Sequence, residues 1–120
     1  MTTSTPLPER VSAEKNVGMM FVHSLLDDYG LDLYEFRVYG HITRRTGGRI
    51  DGRAFASNKR MAEACGMSPR KLQYVLKVLC AAGLIVKEEN NSYRTNLYRL
   101  AYPRDWMPKE ALPAIRQSVK

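Results

Sequence analysis

The sequence predicts a mainly helical α+β domain, with three helices followed by a β-hairpin. Three observations carry that prediction. A capped helical stretch opens at Asp32. Two more helical stretches are separated only by Gly66-Met67-Ser68. Two short apolar segments, 84–89 and 96–101, then flank a polar loop.

The first helix starts at Asp32, whose carboxylate can accept from the free amides of the first turn; Glu35 three residues on completes a capping box. Leu31 and Phe36 are placed for a hydrophobic staple. Val38, Tyr39 and Ile42 form an apolar flank at helical spacing. Arg44 and Arg45 suit the negative end of the helix dipole, and Gly47-Gly48 ends the helix. Upstream, residues 24–30 (SLLDDYG) read as a short helical turn closed by Gly30, and 19–22 (MMFV) as a short strand or hydrophobic clamp. Residues 1–15, rich in Thr, Ser and Pro, read as a mobile N-terminal tail. Downstream, a Gly-rich loop at 47–52 leads to a short strand at 54–56.

The second helix runs from a Ser57 cap to about Cys65, with Met61, Ala62 and Cys65 on one face. Gly66 supplies the left-handed residue that stops it. Ser68 caps the third helix and Pro69 occupies its first position, where a missing N–H costs nothing. Met67 and Leu72 are placed for a second staple. The third helix reaches Ala82 and ends at Gly83. Two helices joined by so short a turn must cross steeply, which is the sequence form of a helix-turn-helix. Residues 84–89 (LIVKEE) and 96–101 (NLYRLA) then read as the strands of a hairpin around the loop 90–95. In the second strand Tyr98 and Leu100 share one face, Leu97 and Arg99 the other. Residues 103–120 contain Pro103, Pro108 and Pro113; they are expected to be a weakly ordered C-terminal extension, with at most a short helix from about Pro108.

A length of 120 residues and a hydrophobic fraction of 44% suit one small core. No stretch approaches the roughly 18 apolar residues of a membrane span, and Met1 to Glu14 has no apolar signal-peptide core. Two cysteines, Cys65 and Cys80, cannot make a disulfide-dense scaffold, so the expectation is a cytoplasmic protein with reduced thiols. The formal charge of +7 is uneven: residues 1–36 hold 2 basic and 6 acidic side chains, residues 37–120 hold 17 and 6. A basic second part points to a polyanionic partner, nucleic acid or an anionic membrane surface, although solubility alone explains such a charge on a small domain. No HExxH or CxxC spacing accompanies His23 and His41. Asp27-Asp28 read as surface charge and the two cysteines as small core hydrophobes. Neither a nucleophile elbow nor a phosphate loop is present. The sequence therefore predicts no enzyme, no cofactor, no metal and no small-molecule ligand.

The third helix carries the functional signal. At 100° per residue, Leu72, Val75, Leu76 and Leu79 fall within about a 100° arc, wide enough for a buried stripe. Arg70, Gln73, Tyr74 and Lys77 fall opposite, and no carboxylate lies between Pro69 and Lys87. A merely solvated helix mixes both signs, whereas acids on a helix in a DNA groove would repel phosphate. Arg can bond guanine O6 and N7, and Gln adenine N6 and N7. Lys77 suits phosphate; Tyr74 suits a thymine methyl or a phosphate. The plainer alternative is an exposed face of good helix formers.

From Leu31 to Ala101 the chain resembles the winged helix-turn-helix domains of bacterial, plasmid and phage proteins. The resemblance rests on LDLYEFRVYGHI, on SNKRMAEACGMSPRKLQYVLKVLCAAGLI and on TNLYRLA, with GMSPRKLQYVLKVLCAAGLI the most specific part. The lead-in FVHSLLDDYGLD is similar to the segment before this domain in plasmid and phage replication initiators and replisome organisers. Glu35 and Gly40 depart from the family pattern, which more usually has apolar residues there. The resemblance implies a three-helix core with a β-hairpin wing, a domain over 16–102, the third helix as recognition helix and 90–95 as wing tip. It implies DNA contacts from Ser68, Arg70, Lys71, Gln73, Tyr74 and Lys77. Ser57, Asn58, Lys59 and Arg60 would meet phosphate at the start of the second helix, helped by the helix N-terminus. Asn91 and Arg94 would lie along an adjacent groove.

The expected function is sequence-specific binding of double-stranded DNA by site occupancy, in transcription regulation or replication-origin recognition. One such unit makes few base contacts, so a homodimer or a cooperative array on DNA is expected. The segments 1–30 and 103–120, with Trp106 and Met107, are its candidate contacts. The alternatives are a winged-helix protein-interaction module with an acidic partner, and an RNA binder.

Overall fold

In the computed structural model, which describes residues 20, 22–55, 57–88 and 96–120, a 3-10 turn at Ser24–Asp28 buries Leu26 and leads to Gly30 at φ +99°. Helix α1 (Leu33–Thr46) then starts as its sequence requires. The Asp32 carboxylate accepts from the Glu35 N–H at 2.8 Å, and the Glu35 carboxylate accepts from the Asp32 N–H at 3.0 Å. Leu31 packs against the core, but Phe36 remains 40% exposed. Val22 also packs against the core and Met20 covers Gly40; neither residue is in a strand. The rest of 19–22 and the tail 1–15 lie outside the described residues.

Helix α2 (Asn58–Cys65) and helix α3 (Pro69–Ala81) are each capped by a serine: Ser57 Oγ accepts from the Arg60 N–H at 3.2 Å, Ser68 Oγ from the Lys71 N–H at 3.1 Å. Gly66 adopts φ +72°, and the Met67 N–H returns to the Ala62 carbonyl, closing α2 in three residues. Leu72, Val75, Leu76 and Leu79 are buried, joined by Val78. Leu72, Val75, Leu76 and Leu79 pack with Val38, Tyr39 and Ile42 of α1 and Met61 and Ala62 of α2.

Strands β1 (Ala54–Phe55), β2 (Ile85–Glu88) and β3 (Leu97–Leu100) form an antiparallel sheet in the order β1-β3-β2. Ile85 faces Leu100, and Tyr98 lies between Ala54 and Lys87. Tyr98 and Leu100 are buried while Leu97 and Arg99 are half-exposed, so the alternation in 96–101 sets the register of the sheet against the core. The tip at 89–95 lies outside the described residues, as does Ala56 at the end of β1. Three helices with an antiparallel hairpin and a short third strand, extended by a fourth helix, make a mainly helical α+β fold of winged helix-turn-helix type.

The segment 103–120 departs from the expected weak order. It forms 3-10 turns at Pro103–Asp105 and Lys109–Ala111, then helix α4 (Leu112–Ser118). Its prolines begin these turns rather than break them: Pro103 and Pro113 sit in first turns, where no N–H is needed, and Pro108 precedes one. Leu112 is buried in the core. Trp106, expected to meet a neighbouring molecule, instead packs edge-on against Tyr29 and His23 of its own chain, with ring centroids 5.7 and 5.8 Å away. Tyr29 donates its hydroxyl proton to the Met107 carbonyl, and the Met107 N–H donates to that of Ala82 at 2.7 Å. Gly83, at φ +79°, lets the chain pass: a Cβ there would lie 2.6 Å from the Asp105 carbonyl oxygen.

Candidate nucleic-acid interface

Helix α3 turns its stripe of Leu72, Val75, Leu76 and Leu79 to the core, which leaves Arg70, Gln73 and Lys77 exposed on the far side. Ser68 is exposed as well, with its hydroxyl oxygen serving as the helix cap. Lys71 is half-buried: its ammonium sits 4.4 Å over the Tyr34 ring and 5.3 Å from the Tyr74 ring centroid. Tyr74 is half-buried too. Its hydroxyl donates to the Arg116 carbonyl at 3.2 Å, so the phenol that periodicity places on the free face is held by α4.

At the start of α2, Lys59 and Arg60 are exposed and Ser57 and Asn58 half-buried. Asn58 lines an open groove of about 960 Å³ between α3 and the β2–β3 strands, together with Gln73, Lys77, Lys87, Asn96 and Arg99. The structure thus brings Asn58, Gln73 and Lys77 to one groove. It adds Lys87, Asn96 and Arg99, which sequence reasoning did not single out. Arg99 sat on the polar face of its strand in the sequence, but only the pairing of Val86 with Arg99 and Lys87 with Tyr98 aligns these residues along α3. Asn91 and Arg94 lie outside the described residues.

The electrostatics leave this side cationic. Glu88 is shared by two guanidinium groups, Arg53 at 2.8 Å and Arg99 at 3.3 Å, so one carboxylate offsets two cations. Asp105 is the acidic residue lining the groove, against Lys77, Lys87 and Arg99.

Behind the interface lies a buried ion pair. Glu35, with 0% of its surface exposed, accepts from Arg116 Nε at 2.9 Å and from Nη2 at 2.7 Å; the same Nη2 reaches the Gly30 carbonyl at 2.7 Å. Burial pushes the Glu35 carboxyl up, but the hydrogen bonds from Arg116 and from the Asp32 N–H outweigh it and hold the group below its ordinary value. His41 is buried on α1, and burial, reinforced by the positive charges of Arg45, Arg37 and Arg44, pushes its imidazole down. Burial also raises both thiols, Cys80 despite the nearby Lys87, so Cys65 and Cys80 stay protonated at neutral pH. Among the described residues no group of three or more His, Cys, Asp or Glu is placed to hold a metal ion, and no helix is long and apolar enough to cross a membrane.

Residues 29–85 match the model of a protein family described as a helix-turn-helix domain. No curated protein and no solved structure matches the chain. The matched stretch starts just before α1 and ends at the first residue of β2, so it contains all three helices of the core. A domain of this kind suggests DNA as the partner. Over residues 29–85 the chain is thus similar to the helix-turn-helix domain family.

Proposed function

We propose that the protein binds double-stranded DNA sequence-specifically and acts by occupying its site, in transcription regulation or at a replication origin. One observation carries this reading: the exposed face of α3 presents Arg70, Gln73 and Lys77, and no acidic residue occurs from 64 to 87. A helix with cations and an amide on its free face suits the major groove, where Arg and Gln find two-point partners on guanine and adenine. In this arrangement Arg70 and Gln73 read base edges. Lys77, Lys59, Arg60 and the start of α2 take phosphates, and the wing with Asn91 and Arg94 lies alongside. Ser57, Asn58 and Ser68 belong to the same surface, and Lys71 and Tyr74 border it. A single unit reads few base pairs, which favours a homodimer or a cooperative array.

Selection of bound duplexes from a random pool tests the reading. Arg70→Ala or Gln73→Ala is expected to cost about 1–3 kcal/mol on a selected duplex and to relax base preference locally. Lys59→Ala is expected to weaken all sequences alike and to reduce the salt slope by about 1. Unchanged affinity in both kinds of variant removes the recognition-helix assignment. A selected palindrome indicates a two-fold dimer, and tandem repeats a head-to-tail array.

A further inference from the structure

Helix α4 is anchored firmly for so short an element. Leu112 is buried in the core, Arg116 ties it to α1 through Glu35 and to Gly30, and Tyr74 of α3 donates to its Arg116 carbonyl. Beyond Ser118 the Val119 N–H donates to the Ile115 carbonyl at 3.2 Å, so the chain leaves the anchored helix from a bonded cap. Val119 and Lys120 border a concavity of about 660 Å³ whose other wall is the outer face of α3, including Arg70, Gln73 and Lys77. Val119 also borders the larger groove between α3 and the sheet, so the end of α4 lies where the two meet. Each charged side chain around the smaller concavity is a cation: Arg70, Lys71, Lys77 and Lys120. Of these, Lys71 is drawn over two tyrosine rings, while Lys120 is exposed.

We propose that α4 is part of the nucleic-acid interface: it seats Lys120 beside Gln73 and Lys77 to take a backbone phosphate at the edge of the groove that α3 enters, with Tyr74 as the strut that holds it there. The proposal rests on the DNA-binding reading above. A cation carried two residues beyond an anchored helix contacts phosphate without reading sequence, so it helps to fix the orientation of α3 on the duplex. Tyr74 is accordingly a positioning residue and not a base contact.

Titration of duplex affinity against salt, with the full chain, tests this. Lys120→Ala is expected to lower the slope of log affinity against log salt by about 0.9, the value for one phosphate contact, and to leave base preference unchanged. Lys109→Ala, which removes an exposed cation from the same segment away from either concavity, is expected to leave the slope as it is. Tyr74→Phe is expected to weaken all duplexes alike; a changed preference at one base position overturns its role as a strut. A Lys120→Ala slope equal to that of the unaltered protein overturns the proposal, and so does tighter binding, which would make α4 an obstruction. If the unaltered protein binds no duplex, both readings fail. If it binds and Lys120→Ala is silent, only this one does.

Discussion

Glu35 and Arg116 stand 81 residues apart in the chain and form the most deeply buried ion pair among the described residues. A carboxylate with no exposed surface is tolerable only while its partner is present. Arg116→Ala is therefore expected to destabilise the fold by about 3 kcal/mol, read from the midpoint of urea denaturation. The pair also sets a pH dependence. Because the folded carboxyl lies below its ordinary value of 4.5, its contribution is complete above that pH and is lost as pH falls towards the folded value. Arg116→Ala should remove this acid-side loss. His41 acts at higher pH: its imidazole is pushed below 6.5 by burial, so the unfolded chain binds a proton that the folded one resists. Stability should fall as pH drops below about 6.5, and His41→Gln should flatten the curve between about pH 7 and pH 5. Of these groups, only the Asp32–Glu35 capping box was legible in the sequence, because it closes within one helical turn. The arginine that makes Glu35 affordable was not, because a distant partner leaves no spacing signal. Glu35 looked like a departure from the apolar family pattern for that reason.

Among the elements, the turn between α2 and α3 was readable almost residue by residue. Gly66, Ser68 and Pro69 each perform a function that belongs to their own backbone. Gly66→Ala forces a side chain into a left-handed conformation but meets no atom within 4 Å, so its cost should be the conformational 1–2 kcal/mol, roughly. Gly83→Ala adds a contact of 2.6 Å with the Asp105 carbonyl to the same strain, and should lower the melting temperature further than Gly66→Ala. Thermal denaturation of the two variants side by side checks the order. The C-terminal elements misled for a related reason: prolines disfavour helix interiors and favour helix starts, and composition alone does not say which is in play. Leu112 and Trp106 turned the choice towards order by finding places against the core.

At the scale of the molecule, the candidate interface is assembled from α2, α3, the sheet and α4. Lys77 and Lys87 lie ten residues apart in sequence and line one groove. In the DNA-binding reading, chemical acetylation of both should fall together when a selected duplex is added, while Lys109 stays reactive. Protection of neither would move the bound duplex away from this groove. The acid-free outer face of α3 was visible in the sequence because helical periodicity sorts thirteen residues into two sides without outside information. Lys87, Asn96, Arg99 and Lys120 were not, since their place beside that face depends on strand register and on the docking of α4.

The sequence by itself determined the helix caps, the three core helices, the turn between α2 and α3 and the face that α3 withholds from the core. Each is decided by hydrogen bonds and periodicity within a few residues. Only the tertiary structure decided the pairing of Arg116 with Glu35, the order of residues 103–120 and the cations brought alongside α3. Those depend on contacts whose chain separation is large, where burial of apolar surface, not local preference, selects the arrangement.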